Sequence, residues 1–263
     1  MSTMSTSAGM SYVEIGVGDA ERSLDFYRGT LGLRRAAEAP EPAAAGTHWL
    51  DADGALVKLV EMSAAERASE ADDLQRGMRH FGLRVGDVFR QAERLRAAGV
   101  KFTVEPTAAV GGVNLAFFRD PDGTLLEIID GHLDYHSVVT PELADHERRL
   151  AEARPAGAGP VFDHVAVTVA DLDATLAYYR DTLGFPVIGR LVHDQDPRGF
   201  VIDYLRAGPA VLEVFSFTAP TRPAPEEDDG RRGLRAIGLA ADEGLARVDP
   251  DGVPLRRVAR APR

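Results

Sequence analysis

The sequence contains no cysteine among its 263 residues. That excludes disulfides, thiolate metal ligands and thiol nucleophiles, and leaves any metal to histidine and carboxylate. Basic residues are scarce: 30 Lys and Arg face 41 Asp and Glu, a formal charge of −11. Nucleic acid and anionic membrane are bound through clustered cations, so neither is expected as the main partner. No apolar run approaches the about 20 residues of a membrane span, and nothing at the start reads as a signal peptide. A Gly-rich phosphate loop is missing, Gly111-Gly112 reading as a turn, and no Gly-x-Ser-x-Gly elbow supports a nucleophilic serine. These absences leave a cytoplasmic protein as the expectation, a monomer or homodimer whose main partner is neither nucleic acid nor membrane. Its length fits one large domain or two small ones.

What is present is a repeat. A strand, an acidic cap and a helix ending in Gly recur: Tyr12–Leu33, His80–Val100, His164–Phe185 and, abbreviated, from Ala236. Each opening strand alternates with period two. In the third copy Val165, Val167 and Val169 share one face, and His164, Ala166 and Thr168 the other. Asp171 can cap the helix, whose apolar stripe is Leu172, Leu176, Tyr179 and Leu183. The valine face is expected to pack on this helix, leaving the histidine face pointing away. Each full copy closes with a hairpin arm, DGALVKLVE (Asp53–Glu61), DPDGTLLEI (Asp120–Ile128) or GPAVLEVF (Gly208–Phe215).

The fold class expected is therefore α+β, built from tandem βαβββ modules, three full and a fourth abbreviated. The division expected along the chain is a disordered start over 1–10, a first two-module domain over 11–130, a linker over 131–160 and a second domain over 161–263. The linker should hold a helix from Pro141 to Ala153, capped by Thr140, and then a flexible PAGAGP joint. PAPEEDDG (Pro223–Gly230) reads as an exposed acidic loop.

DHVAVTVADLDATLAYYRDTLGF, the DPDGTLLEI arm and their two shorter echoes resemble the vicinal oxygen chelate superfamily. That superfamily includes glyoxalase I, methylmalonyl-CoA epimerase, extradiol dioxygenases and bleomycin or fosfomycin resistance proteins. The resemblance covers nearly all of 11–258 and implies paired modules whose cupped sheets surround a metal. It also implies ligands at the first residue of the opening strand and on a carboxylate of the last strand. The four copies offer Tyr12 and Lys58, His80 and Glu127, His164 and Glu213, and Ala236 and Arg256. Two copies thus keep a metal-competent pair, and two have lost both members together.

Pairing of successive copies would give each cup one His/Glu pair. Crossed pairing would collect His80, Glu127, His164 and Glu213 in a single cup, and the joint loss in the first and fourth copies favours it. Such a set suits a divalent ion, Zn, Ni, Co, Mn or Fe. The resemblance implies a lyase or isomerase that polarises a carbonyl and shuttles the proton on the adjacent carbon. Glu127 or Glu213 is the candidate base. Two further readings stay open: an Fe(II) dioxygenase of the extradiol type using His80, His164 and Glu127, and a metal-free cup that sequesters a drug or metabolite. Phe117 stands where an extradiol enzyme is expected to carry Tyr. Arg84 shares the parity of His80 and can reach an anionic substrate group, with a surface salt bridge as its alternative. His132, His136 and His146 read as solvated, His48 and His193 as middle-strand residues, and Trp49 as core or as a wall of the first cup.

Overall fold

The protein is described from a computed structural model, which covers residues 8–42, 44–62, 72–224 and 232–259. Three full units open on β1 (Gly9–Val17), β5 (Gly77–Arg84) and β10 (Val161–Val169). Asp19, Asp87 and Asp171 then cap α1 (Ala20–Leu24), α2 (Val88–Ala97) and α4 (Leu172–Leu176). Their carboxylates accept from the backbone N–H of Arg22, Arg90 and Ala174, donors that a helix start otherwise leaves unpaired. After α1 and α4 the chain widens into π-type turns over Asp25–Thr30 and Ala177–Thr182. These turns carry the buried Tyr27 and Tyr179.

The strands of the first unit are completed by β2 (Arg34–Arg35), β3 (Thr47–Asp51) and β4 (Leu56–Glu61). Those of the second are β6 (Phe102–Ala108), β7 (Asn114–Arg119) and β8 (Leu125–Asp130). The third adds β11 (Val187–His193), β12 (Phe200–Ala207) and β13 (Ala210–Phe217). The fourth unit is β14 (Gly233–Ala240) and β15 (Leu255–Val258), with no helix among the described residues.

The sheets pair units in the crossed manner. One has six strands in the order β15-β14-β1-β4-β3-β2, joining the first and fourth units. The other has nine, β6-β7-β8-β5-β10-β13-β12-β11-β9, joining the second and third; its edge strand β9 (Ser137–Val138) comes from the connector. Each join is antiparallel, β1 on β14 and β5 on β10, and within each full unit the last strand lies parallel to the opening one. The period-two pattern holds: Val13, Ile15 and Val17, Phe81, Leu83 and Val85, and Val165, Val167 and Val169 all enter one core shared by both sheets and the helices. The opposite faces form two separate clusters, one around Phe215 and Tyr204 and one around Tyr12 and Trp49.

The helices tie the units together in a different order from the sheets. Tyr27 of the first unit donates its hydroxyl to Asp120 Oδ2 of the second (2.8 Å), and Tyr179 of the third donates to Asp249 Oδ2 of the fourth (2.9 Å). The other oxygen of each aspartate accepts two backbone N–H groups of its own turn. Asp122 and Asp251 bond Ser23 and Thr175 of the same helices. The DPDG turns are thus latches between sequential units, and burial raises the carboxyl pKa of Asp120 and Asp249.

In the connector, α3 (Pro141–Glu152) forms with Pro141 in its first turn. Thr140 does not cap it by its side chain and instead donates to the Val187 carbonyl at 2.6 Å, tying the helix to β11. Leu133, Tyr135, Leu143 and Ala144 then cover the face of β11, β12 and β13, so this stretch walls one cup. β1 starts at Gly9 with Met10 buried, inside the stretch expected to be a loose tail; residues 1–7 lie outside the described residues. Most of the acidic 223–230 loop does too. Among the described residues, no helix is long and apolar enough to cross a membrane.

Tyr27→Phe and Tyr179→Phe each leave a buried carboxylate oxygen without its donor. Each variant is expected to lose about 1–3 kcal/mol of stability, read as a lower urea midpoint at unchanged slope; an unchanged midpoint would show that the latches carry no stability.

Candidate metal centre

The register of β5 on β10 sets His164 opposite Gly82 and His80 opposite Ala166. On the outer flanks β8 sets Glu127 beside Gly82, and β13 sets Glu213 beside Ala166. One row therefore reads Glu127–Gly82–His164 and the next His80–Ala166–Glu213. Small residues at the middle of both rows let the long side chains meet above them. A Cβ at Gly82 would collide with Nδ1, Cε1 and Nε2 of the His164 ring.

His80 Nε2 lies 3.0 Å from Glu127 Oε2 and 3.2 Å from His164 Nε2, and His164 Nε2 lies 3.3 Å from the same Glu127 oxygen. Ligands bound at about 2.0–2.2 Å to one ion at right angles are about 3 Å apart, so this trio matches a divalent site. It is also the one such group found among the described residues. His80, Glu127 and His164 are 2%, 4% and 0% exposed, so water competes poorly for them. Glu213, 6% exposed, stands outside the trio, its Oε1 3.5 Å from His164 Nδ1.

Electrostatics divide the two histidines. Burial lowers His80 to a pKa of about 4, aided by the nearby His164 and Arg79 charges, so its ring is neutral and its Nε2 can present a lone pair. Burial also opposes charge on His164, but Glu213, Glu127 and Asp163 outweigh it and raise that pKa well above the usual value. Glu127 faces both rings, which pull its pKa down to about 2 against burial. Glu213 is pushed up to about 8 by burial and by the charges of Glu127 and Asp163, against the pull of His164.

Two neighbours of the trio sit where strict alternation would not place them. Asp163 Oδ2 is 2.9 Å from His164 Nδ1, although successive strand residues normally face opposite ways. The pairing with β5 shifts register between Phe162 and His164, and such a bulge re-aims the extra side chain. A second shift, between Ala166 and Val167, falls opposite Arg79. Arg79 stacks 4.2 Å above the Phe215 ring and donates to Thr168 Oγ1 and to Asp73. Phe117 and Phe215 meet the His80 ring edge-on at 5.0 and 6.3 Å.

Arg84 is placed differently from the trio. Its Nε donates to Asp163 Oδ1 at 2.6 Å and its Nη1 donates to the Gly131 carbonyl, so it acts on His164 through Asp163. His136 accepts from the Val192 N–H, His132 approaches Asp134, and His193 stacks on Phe200 at 4.3 Å.

The six-stranded sheet repeats the same rows with other residues. Tyr12 faces Gly238, which pairs with Arg256; Ala236 faces Glu14, which pairs with Lys58. Tyr12 thus takes the place of His164, Ala236 of His80, Arg256 of Glu127 and Lys58 of Glu213. Two carboxylates have become two cations. The Lys58 ammonium bonds Glu14 at 3.0 Å and Glu41 at 2.9 Å, and the Tyr12 hydroxyl donates to Glu41 at 2.6 Å.

The profile of the Glyoxalase/Bleomycin resistance protein/Dioxygenase superfamily matches residues 9–128 and 161–257. A lactoylglutathione lyase of Arabidopsis thaliana is 27% identical over 178 residues, which is 66% of this chain and 54% of that protein. The chain thus spans about half the length of that relative. A lactoylglutathione lyase of Haemophilus influenzae is 32% identical over 119 residues, 43% of this chain and 86% of its own length. The crystal structure of glyoxalase I from Zea mays shares the fold, with a TM-score of 0.62 at 21% identity over 96% of this chain and 92% of that one.

Gly82→Ala removes no donor atom, yet it is expected to weaken metal binding by about tenfold or more by tilting the His164 ring. Unchanged affinity in a competition titration with a metal chelator would contradict the row geometry. Because His164 carries a proton near neutral pH, metal binding is expected to release protons and to weaken as pH falls. Calorimetry in buffers of different ionisation enthalpy reads the release directly; binding without it would contradict the charge state given to His164.

Proposed function

The chain belongs to the Glyoxalase/Bleomycin resistance protein/Dioxygenase superfamily, and within it we propose a metal-dependent lyase or isomerase of the lactoylglutathione lyase kind. It would act on a small oxygenated carbonyl compound by moving a proton between adjacent carbons. The observation that carries the proposal is the buried His80–Glu127–His164 trio with a further carboxylate, Glu213, beside it but outside it. The names of the Arabidopsis and Haemophilus relatives support the same reaction class.

In this reading His80, Glu127 and His164 hold a divalent ion, which when bound supplies Lewis acidity toward a substrate oxygen. Asp163 accepts from His164 Nδ1 and is itself held by Arg84, so the ring is oriented from behind. Glu213, outside the trio and with its pKa raised to about 8, is the base: in its ionised form it takes the proton of the reacting carbon and then returns it. Phe117 and Phe215 shield the His80 side of the centre from water. Both cups are completed within one chain, which supports a monomer as the working unit.

A second reading rests on the same trio. Two histidines and one carboxylate also form the ligand set of Fe(II) oxygenases, whose reaction consumes O₂.

The test is lactoylglutathione formation by protein loaded in turn with Zn, Ni, Co, Mn or Fe, with and without air. Turnover is expected in both atmospheres; O₂ uptake matching turnover would replace this reading by the second. Glu213→Gln is expected to retain its metal and lose about 10²–10⁴ in kcat. Full activity in that variant would remove Glu213 as the base.

A further inference from the structure

The six-stranded half carries an open cleft remote in sequence from the metal trio. It holds about 410 Å³ and is lined by Leu24, Trp49 and Leu50 with Ala36, Ala37 and Ala39, and by the polar Arg28, Arg35, Thr47 and His48. That volume lies in the range of about 300–1,000 Å³ typical of small-molecule sites, as does the mix of apolar floor and few polar groups.

The two arginines set the chemistry. Arg28, on the π-type turn after α1, and Arg35, on the edge strand β2, are both exposed. Neighbouring Arg34 is paired with Asp51, and Arg22 with Asp122. Among the described residues, neither the Arg28 nor the Arg35 guanidinium has an ion-pair or hydrogen-bond partner. On a chain with formal charge −11, two such cations lining one cleft favour an anion there.

The floor is Trp49, 7% exposed, whose indole Nε1 is buried without a hydrogen-bond partner. Its ring is held by Tyr12, edge-on at 4.9 Å, and by the Lys58 ammonium at 5.2 Å. The wall of Ala36, Ala37 and Ala39 belongs to the loop between β2 and β3 that also carries Glu41, and Glu41 is bound by Tyr12 and Lys58. Tyr12 and Lys58, at the positions equivalent to His164 and Glu213, thus anchor the cleft's wall and floor. A site held in this way loses little freedom when a ligand enters.

We propose that this cleft is a second, metal-independent binding site for a small organic anion: a carboxylate or phosphate held by Arg28 and Arg35, with a flat apolar body on Trp49. The inference does not rest on the activity proposed for the trio.

Trp49 is the single tryptophan of the chain, so no other indole contributes to the fluorescence that reads this cleft. Metal-loaded protein is titrated with phenylacetate, with phenylethanol as the neutral analogue and acetate as the anion without a ring; calorimetry repeats each titration independently of the fluorophore. Phenylacetate is expected to give a saturable Trp49 signal, with each analogue weaker by about tenfold, the loss of one charged or one apolar contact set. Arg28→Ala/Arg35→Ala is expected to lose about tenfold in phenylacetate affinity while metal content stays unchanged. Non-saturating behaviour in both measurements, phenylethanol binding as tightly as phenylacetate, or equal affinity in the double variant would each overturn the proposal.

Discussion

The antiparallel pairing of β5 with β10 is the constraint on which the chemistry of this molecule depends. It brings residues 84 positions apart in sequence to 3.2 Å, Nε2 to Nε2, in His80 and His164. Neither histidine has a metal-competent set within its own unit; each needs the row supplied by the other. The pairing is stabilised from the far side of the sheet, where Phe81, Leu83, Val165 and Val167 enter the shared core. Moving either strand by one residue would send the histidines into that core and the valines into the cup, a slip that burial forbids. The latches of Tyr27 on Asp120 and Tyr179 on Asp249 complement this, tying sequential units by their helices while the sheets tie crossed ones. All four units are thereby held in one arrangement.

The two cups show what the same backbone does with opposite charge. In the nine-stranded sheet, two carboxylates and two imidazoles face one another, and their mutual proximity is tolerated because a proton or a cation can sit among them. In the six-stranded sheet the corresponding positions hold Lys58, Arg256, Tyr12 and Ala236. There the cation is part of the chain, and two carboxylates answer it: Glu14 from the adjacent strand and Glu41 from a loop. The row glycine persists in both halves: a Cβ at Gly238 would collide with the Tyr12 ring as one at Gly82 would with His164. The close approach is thus a property of the paired strands, and the ligand chemistry is a property of four side chains.

Much of this was legible in the sequence because it is periodic. The alternating strands, the aspartate caps and the DPDG arms repeat, and each repeat confirms the others; the joint loss of ligands in two units favours crossed over successive pairing. The unread parts are those that break the period. Asp163 and Arg79 reach the cup through bulges, and a single extra residue in a ladder leaves no mark on a two-residue pattern. Thr140 looked like a cap by composition but is claimed by the Val187 carbonyl, a partner 47 residues away. Glu41 sits in an irregular loop, where nothing local points to Lys58. By sequence the DPDG turns are hairpins, and their second role emerges only when the tyrosine hydroxyls are placed in space.

Metal content per chain tests the central claim most directly, measured by elemental analysis on protein purified without a polyhistidine tag, beside the His80→Ala/His164→Ala double variant. The crossed site predicts about one ion per chain, absent from the double variant. Two ions per chain, an ion retained by the double variant, or none after metal is added back would contradict it.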